Sequence, residues 1–150
     1  MFDLKGLAKC VSPHLPHRVL AIFLFFAGIG MLFLWSSELI PSLAAGETPE
    51  NLGPYTTMYT HGFDLAVLMP TILMTGVLIL KRNPLGYLLA VPLLVLNVLI
   101  GLCVIGATIS QTLAGIVFPV GVYIGMIGSW VAMGAFAGWL LANFLRNVSK

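Results

Sequence analysis

The stretch of sequence that decides the fold runs from Tyr55 to Pro92 and reads YTTMYTHGFDLAVLMPTILMTGVLILKRNPLGYLLAVP. Two long apolar runs in it meet at the short basic turn 81–84, with the sequence KRNP. A connection of this length permits only a tight antiparallel turn between the two runs. Asp64 is the one acidic residue of the stretch. The pattern predicts two membrane-spanning helices, and it puts the only plausible polar site on the first of them.

The composition of the whole chain supports a membrane location. Apolar residues make up 59% of the 150 residues and charged residues only 8%, whereas roughly a quarter of the residues in soluble domains are charged. The mean hydropathy is +1.04, and no charged residue occurs between Arg82 and Arg146. A water-soluble fold of this size cannot cover its surface with so few charges. We therefore predict an integral membrane protein in contact with the lipid bilayer, with no nucleic-acid partner.

Four apolar runs each reach the roughly 20 residues needed to cross about 30 Å of hydrocarbon. They are expected at residues 19–40, 57–80, 85–110 and 116–145. The intervening segment 41–56 is rich in Pro, Gly and Glu and is predicted to be an outer loop without helix. Because backbone groups in lipid must be satisfied internally, we predict an all-α fold: a four-helix bundle forming a single transmembrane domain. Residues 2–10 are expected to form either an interfacial helix or a frayed tail.

The basic residues predict the orientation of the spans. All seven Lys and Arg residues fall in the segments that four spans place on one side, whereas Glu38, Glu47 and Glu50 fall on the other. The positive-inside rule then places both termini and the turn 81–84 in the cytoplasm. A membrane-proximal cysteine beside basic residues, Cys10, also permits lipid attachment.

Polar side chains follow one face of the second span at helical spacing. The candidate binding residues are Tyr59, Thr60, His61, Asp64, Thr71 and Thr75, with Asn97 on the third span. A polar stripe on a membrane helix is expected to face the bundle interior. Asp64 lies 16 residues before Leu80, roughly 24 Å along a helix, so it is either a ligand or proton site or an anchor near the outer interface. Asn97 is expected to hydrogen-bond a neighbouring helix or to contact a ligand.

The fourth span carries small residues at helical spacing. They form a predicted packing seam that consists of Gly121, Gly125, Gly128 and Ala132. A second G-x-x-x-G pair, Gly134 and Gly138, lies on a different face. Small residues let two helix backbones approach closely. One of the two seams is expected to pack within the chain, and the other against a protein partner or a second copy.

No motif for a cofactor, a metal or a catalytic nucleophile is recognisable. The chain has no H-E-x-x-H, G-x-S-x-G or Walker A sequence, and it lacks the pair of membrane-depth histidines needed for a bis-His haem. Pro70 and Pro92 are expected either to kink their helices and open a cleft beside Asp64 or to be tolerated without consequence. We therefore expect no cofactor and no metal, and we favour a protein that is not an enzyme.

Residues 55–102 resemble an uncharacterised group of small bacterial multi-pass membrane proteins. The resemblance lies in Tyr-Thr-Thr at 55–57, Asp-Leu at 64–65, the in-helix Pro70, the basic turn and Pro-x-Gly-Tyr-Leu-Leu at 84–89. It implies a multi-pass protein of the cytoplasmic (inner) membrane, and it carries no function.

Three functions remain open at this point. The first is a non-catalytic accessory subunit or a lipid- or ligand-binding module, with Asp64 contacting a partner or a headgroup. The second is an oligomeric ion or proton-coupled transporter that uses Asp64 as the titrating group. The third is an intramembrane lipid-modifying enzyme with Asp64 and His61 as acid and base. The small extramembrane mass and the absence of catalytic motifs favour the first.

Overall fold

A computed structural model describes residues 15–47, 59–117 and 119–147, and only the backbone of Tyr59, Thr60 and Met126. All regular secondary structure in these ranges is helical. Four of the helices are long and apolar enough to span a membrane. The predicted all-α fold with four membrane-spanning helices is confirmed, and it makes the chain a multi-pass membrane protein. The predicted helix at residues 2–10, and Cys10 with it, lie outside the described residues.

Two of the four helices contain a π-helical turn. Helix α1 comprises His17–Ala45. Helix α2 consists of the consecutive stretches Tyr59–Phe63, Asp64–Leu68 and Met69–Leu80, of which the middle one is π-helical. Helix α3 comprises Pro84–Leu113. Helix α4 consists of Val120–Val122, the π-helical Tyr123–Ile127 and Gly128–Arg146.

Helix α1 extends further than the sequence predicted. Residues 41–45 were expected to belong to a loop, yet they continue the helix with Pro41 inside it. The helix ends at Gly46, whose φ of 69° is left-handed, and the Gly46 and Glu47 amides donate to the carbonyls of Leu43 and Ser42. This is the hydrogen-bond pattern of a Schellman motif. The helix persists because Pro41 removes only one backbone donor and the following Ser-Leu-Ala-Ala sequence retains helix propensity up to the glycine cap.

The connection between α3 and α4 differs from the prediction as well, because it is longer than expected. Residues 116 and 117 were predicted to open the fourth span, but they are not helical, and α4 begins at Val120. Pro119 is the N-cap residue, with extended backbone (φ −57°, ψ 146°). A proline disfavours helical conformation in the residue before it, so a helix here starts only after Pro119. Helix α3 ends with the Gly115 and Ile116 amides bonded to the carbonyls of Thr112 and Gln111.

The chain divides into two compact units, with the boundary inside α3. One unit comprises Pro16–Tyr87 and contains α1 and α2; the other contains the chain from Leu88 onward. In the first unit, buried residues are concentrated in the first half of α1 and the second half of α2: Leu20, Ala21, Leu24, Ala27, Ile72, Thr75 and Ile79. In the second unit they include Ala90, Leu93, Leu94, Ala137, Leu140 and Phe144.

The turn between α2 and α3 depends on a close approach of backbone. Arg82 adopts a left-handed φ of 52°, which is uncommon for a non-glycine residue. The Asn83 side chain accepts a hydrogen bond from the Leu85 amide at 3.0 Å and so caps α3. A Cβ atom at Gly86 would lie 2.8 Å from the backbone nitrogen of Ile79. Only glycine fits this position, because the atom it meets is backbone and cannot move aside.

Candidate functional site

Four side chains with hydrogen-bonding and aromatic groups converge where the second half of α1 lies beside the start of α2. The acidic–aromatic cluster, as we call it, consists of Trp35 and Glu38 on α1 with His61 and Asp64 on α2. The indole nitrogen of Trp35 donates a hydrogen bond to Oδ2 of Asp64 at 3.1 Å. This bond links two helices, and it gives the carboxylate of Asp64 a partner inside the protein.

His61 contacts both α1 members of the cluster. Its Nε2 atom lies 3.4 Å from Oε2 of Glu38, longer than a typical N–H···O hydrogen bond. Its ring centroid lies 4.0 Å from that of Trp35, with the planes tilted by 50°. The side chains of His61 and Glu38 retain 15% and 19% of their accessible surface. The imidazole is therefore held against an indole face and a carboxylate while it remains reachable from outside.

One carboxylate oxygen of Glu38 has no hydrogen-bond donor in the part of the chain that the structure describes. Oε1 of Glu38 is buried and has no hydrogen-bond partner among the described residues. A buried polar oxygen that has lost water and gained no donor costs free energy. The cluster thus carries two carboxylates, one neutral donor from Trp35 and one imidazole, so its acceptors outnumber the donors it supplies. Such a set of groups is suited to receive a proton or a cationic donor.

A π-helical turn in α2 brings Asp64 to this position. The Met69 amide donates to the carbonyl of Asp64, five residues earlier, which makes the turn one residue wider than an α-helical turn. In a regular helix the side chains of Asp64 and Gly76 would point in directions about 120° apart around the helix axis. The π turn takes up one residue without the usual rotation of about 100°, so this angle falls to roughly 20°. Gly76 faces Phe25 of α1. The wide turn therefore points Asp64 toward the same helix that the second half of α2 packs against.

The two threonines that follow the π turn, Thr71 and Thr75, form hydrogen bonds within their own helix. The Thr71 hydroxyl donates to the carbonyl of Val67 at 2.6 Å, and the Thr75 hydroxyl donates to that of Thr71 at 2.7 Å. Both hydroxyls are satisfied within α2, Thr71 on the exposed side and Thr75 fully buried. The prediction of a polar stripe assumed 3.6 residues per turn throughout, whereas the π turn inserts one residue between Asp64 and these two threonines. The side chains of Tyr59 and Thr60 lie outside what the structure describes.

Asn97 also bonds within its own helix. Its side-chain amide donates to the carbonyl of Leu93 at 3.0 Å, and the residue is buried. A bond to a neighbouring helix was expected, whereas the side-chain bond found among the described residues lies within α3. Asn97 sits where α3 approaches α4 closely, with its backbone oxygen 3.2 Å from a Cβ built at Gly134. The carbonyl four residues back is the nearest acceptor available to a side chain at such a position.

Helices α3 and α4 meet at the second of the two glycine pairs. A Cβ added at Gly101 would lie 3.1 Å from the Cα atom of Gly134, and one added at Gly134 would lie 3.0 Å from the Cα atom of Gly101. A side chain at either position would require the two helix backbones to move apart by a few tenths of an ångström, because both contacts are to backbone. The four residues of the predicted seam are instead exposed in the chain: Gly121, Gly125, Gly128 and Ala132. They remain open to a partner.

Sequence reasoning identified His61 and Asp64 but not the two α1 residues that contact them. Glu38 served only as a marker of orientation. The pairs have the same spacing: Trp35 and Glu38 are separated by three residues, as are His61 and Asp64. Residues three apart share a helix face. This equal spacing in the facing ends of two consecutive spans is the signal that would have located the cluster.

No group of three metal-ligating side chains is arranged to hold a metal ion in the described ranges. His61 and Asp64 do not hydrogen-bond each other there; His61 contacts Glu38, whereas Asp64 accepts from Trp35. Comparison with protein-family models, with curated proteins and with solved structures found no match to this chain.

Proposed function

We propose that the protein is a non-catalytic membrane binding module, and that the acidic–aromatic cluster receives a cationic amine group carried by a lipid headgroup. One observation carries the proposal: a carboxylate from each of two helices converges on a Trp–His pair, and Oε1 of Glu38 is buried with no hydrogen-bond partner among the described residues. A primary ammonium carries three donors and one positive charge. It supplies what this set of acceptors lacks.

The aromatic members suit the same ligand. The faces of indole rings attract cations within about 6 Å of the ring centroid, and the Trp35 ring contacts Asp64 and the His61 ring, which in turn contacts Glu38. Trp and acidic residues at the end of a span are expected at headgroup level. An aminated phospholipid such as phosphatidylethanolamine presents its ammonium at this depth, with its chains along the apolar helices. A basic side chain of a protein partner is the competing occupant, and it would make the protein an accessory subunit.

Lipid retention by the purified protein tests the proposal. Native mass spectrometry in a mild neutral detergent would compare phosphatidylethanolamine with phosphatidylglycerol of the same chains. We expect Glu38→Gln and Asp64→Asn each to reduce retention of the amine lipid by roughly tenfold, because a hydrogen bond to a charged group is worth about 1.5–3 kcal/mol. Glu47→Gln is the matched control: Glu47 is an exposed acid outside the cluster, and its loss should change nothing.

Two results would contradict the proposal. One is equal retention of the amine lipid by wild-type protein and both cluster variants. The other is a stoichiometric protein partner that is lost with the same substitutions, which would assign the cluster to a partner's basic side chain.

A second candidate, transport of a proton or small cation, is favoured by one observation. The π turn begins at Asp64, and single π turns inside α-helices occur frequently at functional sites. Reconstituted protein should then acidify or alkalinise the lumen of proteoliposomes under an imposed gradient, and Asp64→Asn should abolish this. Wild-type proteoliposomes as tight as protein-free ones would exclude transport.

For the setting of this module, we propose a bacterial inner membrane with both termini in the cytoplasm. The basic segments at the ends of the spans support this orientation. The exposed Gly121–Gly125 face is proposed as the contact with a second copy or partner.

A further inference from the structure

A second cluster, of opposite charge, lies at the other end of the α1–α2 pair. The basic cluster, as we call it, consists of His17 and Arg18 at the start of α1, Lys81 and Arg82 in the α2–α3 turn, and Tyr87 in α3. The Tyr87 hydroxyl and Nδ1 of His17 are 3.3 Å apart, and the two ring centroids are 5.7 Å apart. This contact joins the start of α1 to the first turns of α3. It therefore brings basic residues from two distant parts of the sequence to one place.

The three permanent cations of the basic cluster have no counter-charge in the described part of the chain. Arg18, Lys81 and Arg82 are exposed, and the one ion pair between described residues is His61 with Glu38. The first turn of α1 contains no acidic residue. The His17–Tyr87 contact therefore lies beside chain segments that carry three cations without a counter-charge among the described residues.

Apolar side chains flank these cations directly. Val19, Leu80 and Leu85 are exposed large hydrophobic residues, and each is adjacent in sequence to the cluster or its turn. A free anion would gain nothing from them. An amphiphile would place its anionic group on the cations and its chains along these residues, which continue into membrane-spanning helices.

We propose that the basic cluster is a binding site for the phosphate group of an anionic phospholipid. Arg82 and Lys81 provide charge from the turn, and Arg18 provides it from α1; guanidinium groups suit phosphate because they donate in a planar fork. When the Tyr87 hydroxyl donates to Nδ1 of His17, the imidazole carries its proton on Nε2 and presents a further donor. The site is separate from the acidic–aromatic cluster, and it does not depend on the function proposed for that cluster.

Native mass spectrometry and lipid titration of the full chain test this site. The probes are phosphatidylglycerol, phosphatidylcholine of the same chains, and inorganic phosphate. We expect phosphatidylglycerol to bind best of the three probes. The double variant Arg18→Gln/Arg82→Gln should lower the affinity for this lipid by roughly fivefold for each charge removed. Arg146→Gln removes an exposed basic residue at the end of α4 and should leave the affinity unchanged. Tyr87→Phe should cause a smaller loss, because it removes the hydroxyl that contacts His17 and leaves all three cations in place.

Three outcomes would overturn the inference. The first is an unchanged affinity for phosphatidylglycerol in the double variant, provided that its thermal transition matches that of the wild type. The second is an equal loss of that affinity in Arg146→Gln. The third is displacement of phosphatidylglycerol by millimolar inorganic phosphate. The last would indicate a free-anion site without a role for the acyl chains.

Discussion

At the scale of single residues, the hydrogen bond from Trp35 to Asp64 is the feature on which the candidate site depends. It is a polar contact between side chains of α1 and α2, made in a pair of helices whose other contacts are largely apolar. A carboxylate in such surroundings is destabilising unless it has a donor. The indole supplies that donor at a distance of 3.1 Å. The contribution of this site to the free energy of unfolding therefore depends on the hydrogen bond between the Trp35 indole and the Asp64 carboxylate more than on the charge of Asp64.

We expect Trp35→Phe to lower the free energy of unfolding in detergent by about 1–3 kcal/mol, because the Asp64 acceptor loses its partner while the aromatic bulk is kept. Asp64→Asn should be milder, since an amide oxygen still accepts from the indole. Chemical unfolding followed by circular dichroism measures both. Trp139→Phe, at an exposed indole that stacks on Phe136, is the control. If Trp35→Phe and Trp139→Phe have the same effect, the bond contributes nothing specific.

At the scale of helices, two irregularities decide which residues meet. The first is the π turn in α2, which rotates Asp64 toward α1. Pro70 follows this turn, and its ring would crowd the carbonyl of Ala66 in a regular helix. Proline alone does not produce a wide turn, because Pro92 lies in a continuous α-helix. The difference is that the wide turn in α2 is accompanied by the contacts of His61 and Asp64 with α1.

The second irregularity is the close approach of α3 and α4 at Gly101 and Gly134, which yields a sharp prediction. Gly101→Ala should destabilise the protein by about 1–3 kcal/mol, because the new Cβ meets backbone that cannot shift without separating the helices. Gly106→Ala lies on the same helix with nothing within 4 Å of its Cβ. This control should be neutral or stabilising, by up to about 1 kcal/mol. Thermal melts of the two variants in one detergent distinguish them, and equal melting temperatures would refute the close contact.

At the scale of the whole molecule, charge is segregated along the α1–α2 pair. The acidic–aromatic cluster lies at one end and the basic cluster at the other. The positive-inside rule would place the basic end in the cytoplasm, and under the two proposals each membrane surface would have a different recognition chemistry. An amine headgroup on one side and an anionic phosphate on the other is the combination that the two proposals predict together.

The proposed orientation predicts the pattern of cysteine labelling in intact cells. In a background with Cys10→Ser and Cys103→Ser, a membrane-impermeant maleimide should label Glu47→Cys and leave Arg82→Cys unlabelled until the membrane is opened. Both positions are exposed and lie just outside helices, so they differ only in the side of the membrane. The opposite pattern would reverse the orientation and exchange the surfaces assigned to the two clusters.

The sequence alone determined the number of spans and the separation of basic from acidic segments. Both follow from the bilayer as solvent, which demands long apolar helices and sorts charge by side. His61 and Asp64 were identified for the same reason, because a polar residue in an apolar run is conspicuous. Only the tertiary structure decided which residues meet: Trp35 and Glu38 with this pair, and Gly134 rather than Gly121 against another helix. Helix registers depend on single-residue insertions such as the π turns, and the one in α2 coincides with contacts to α1 that no local pattern contains.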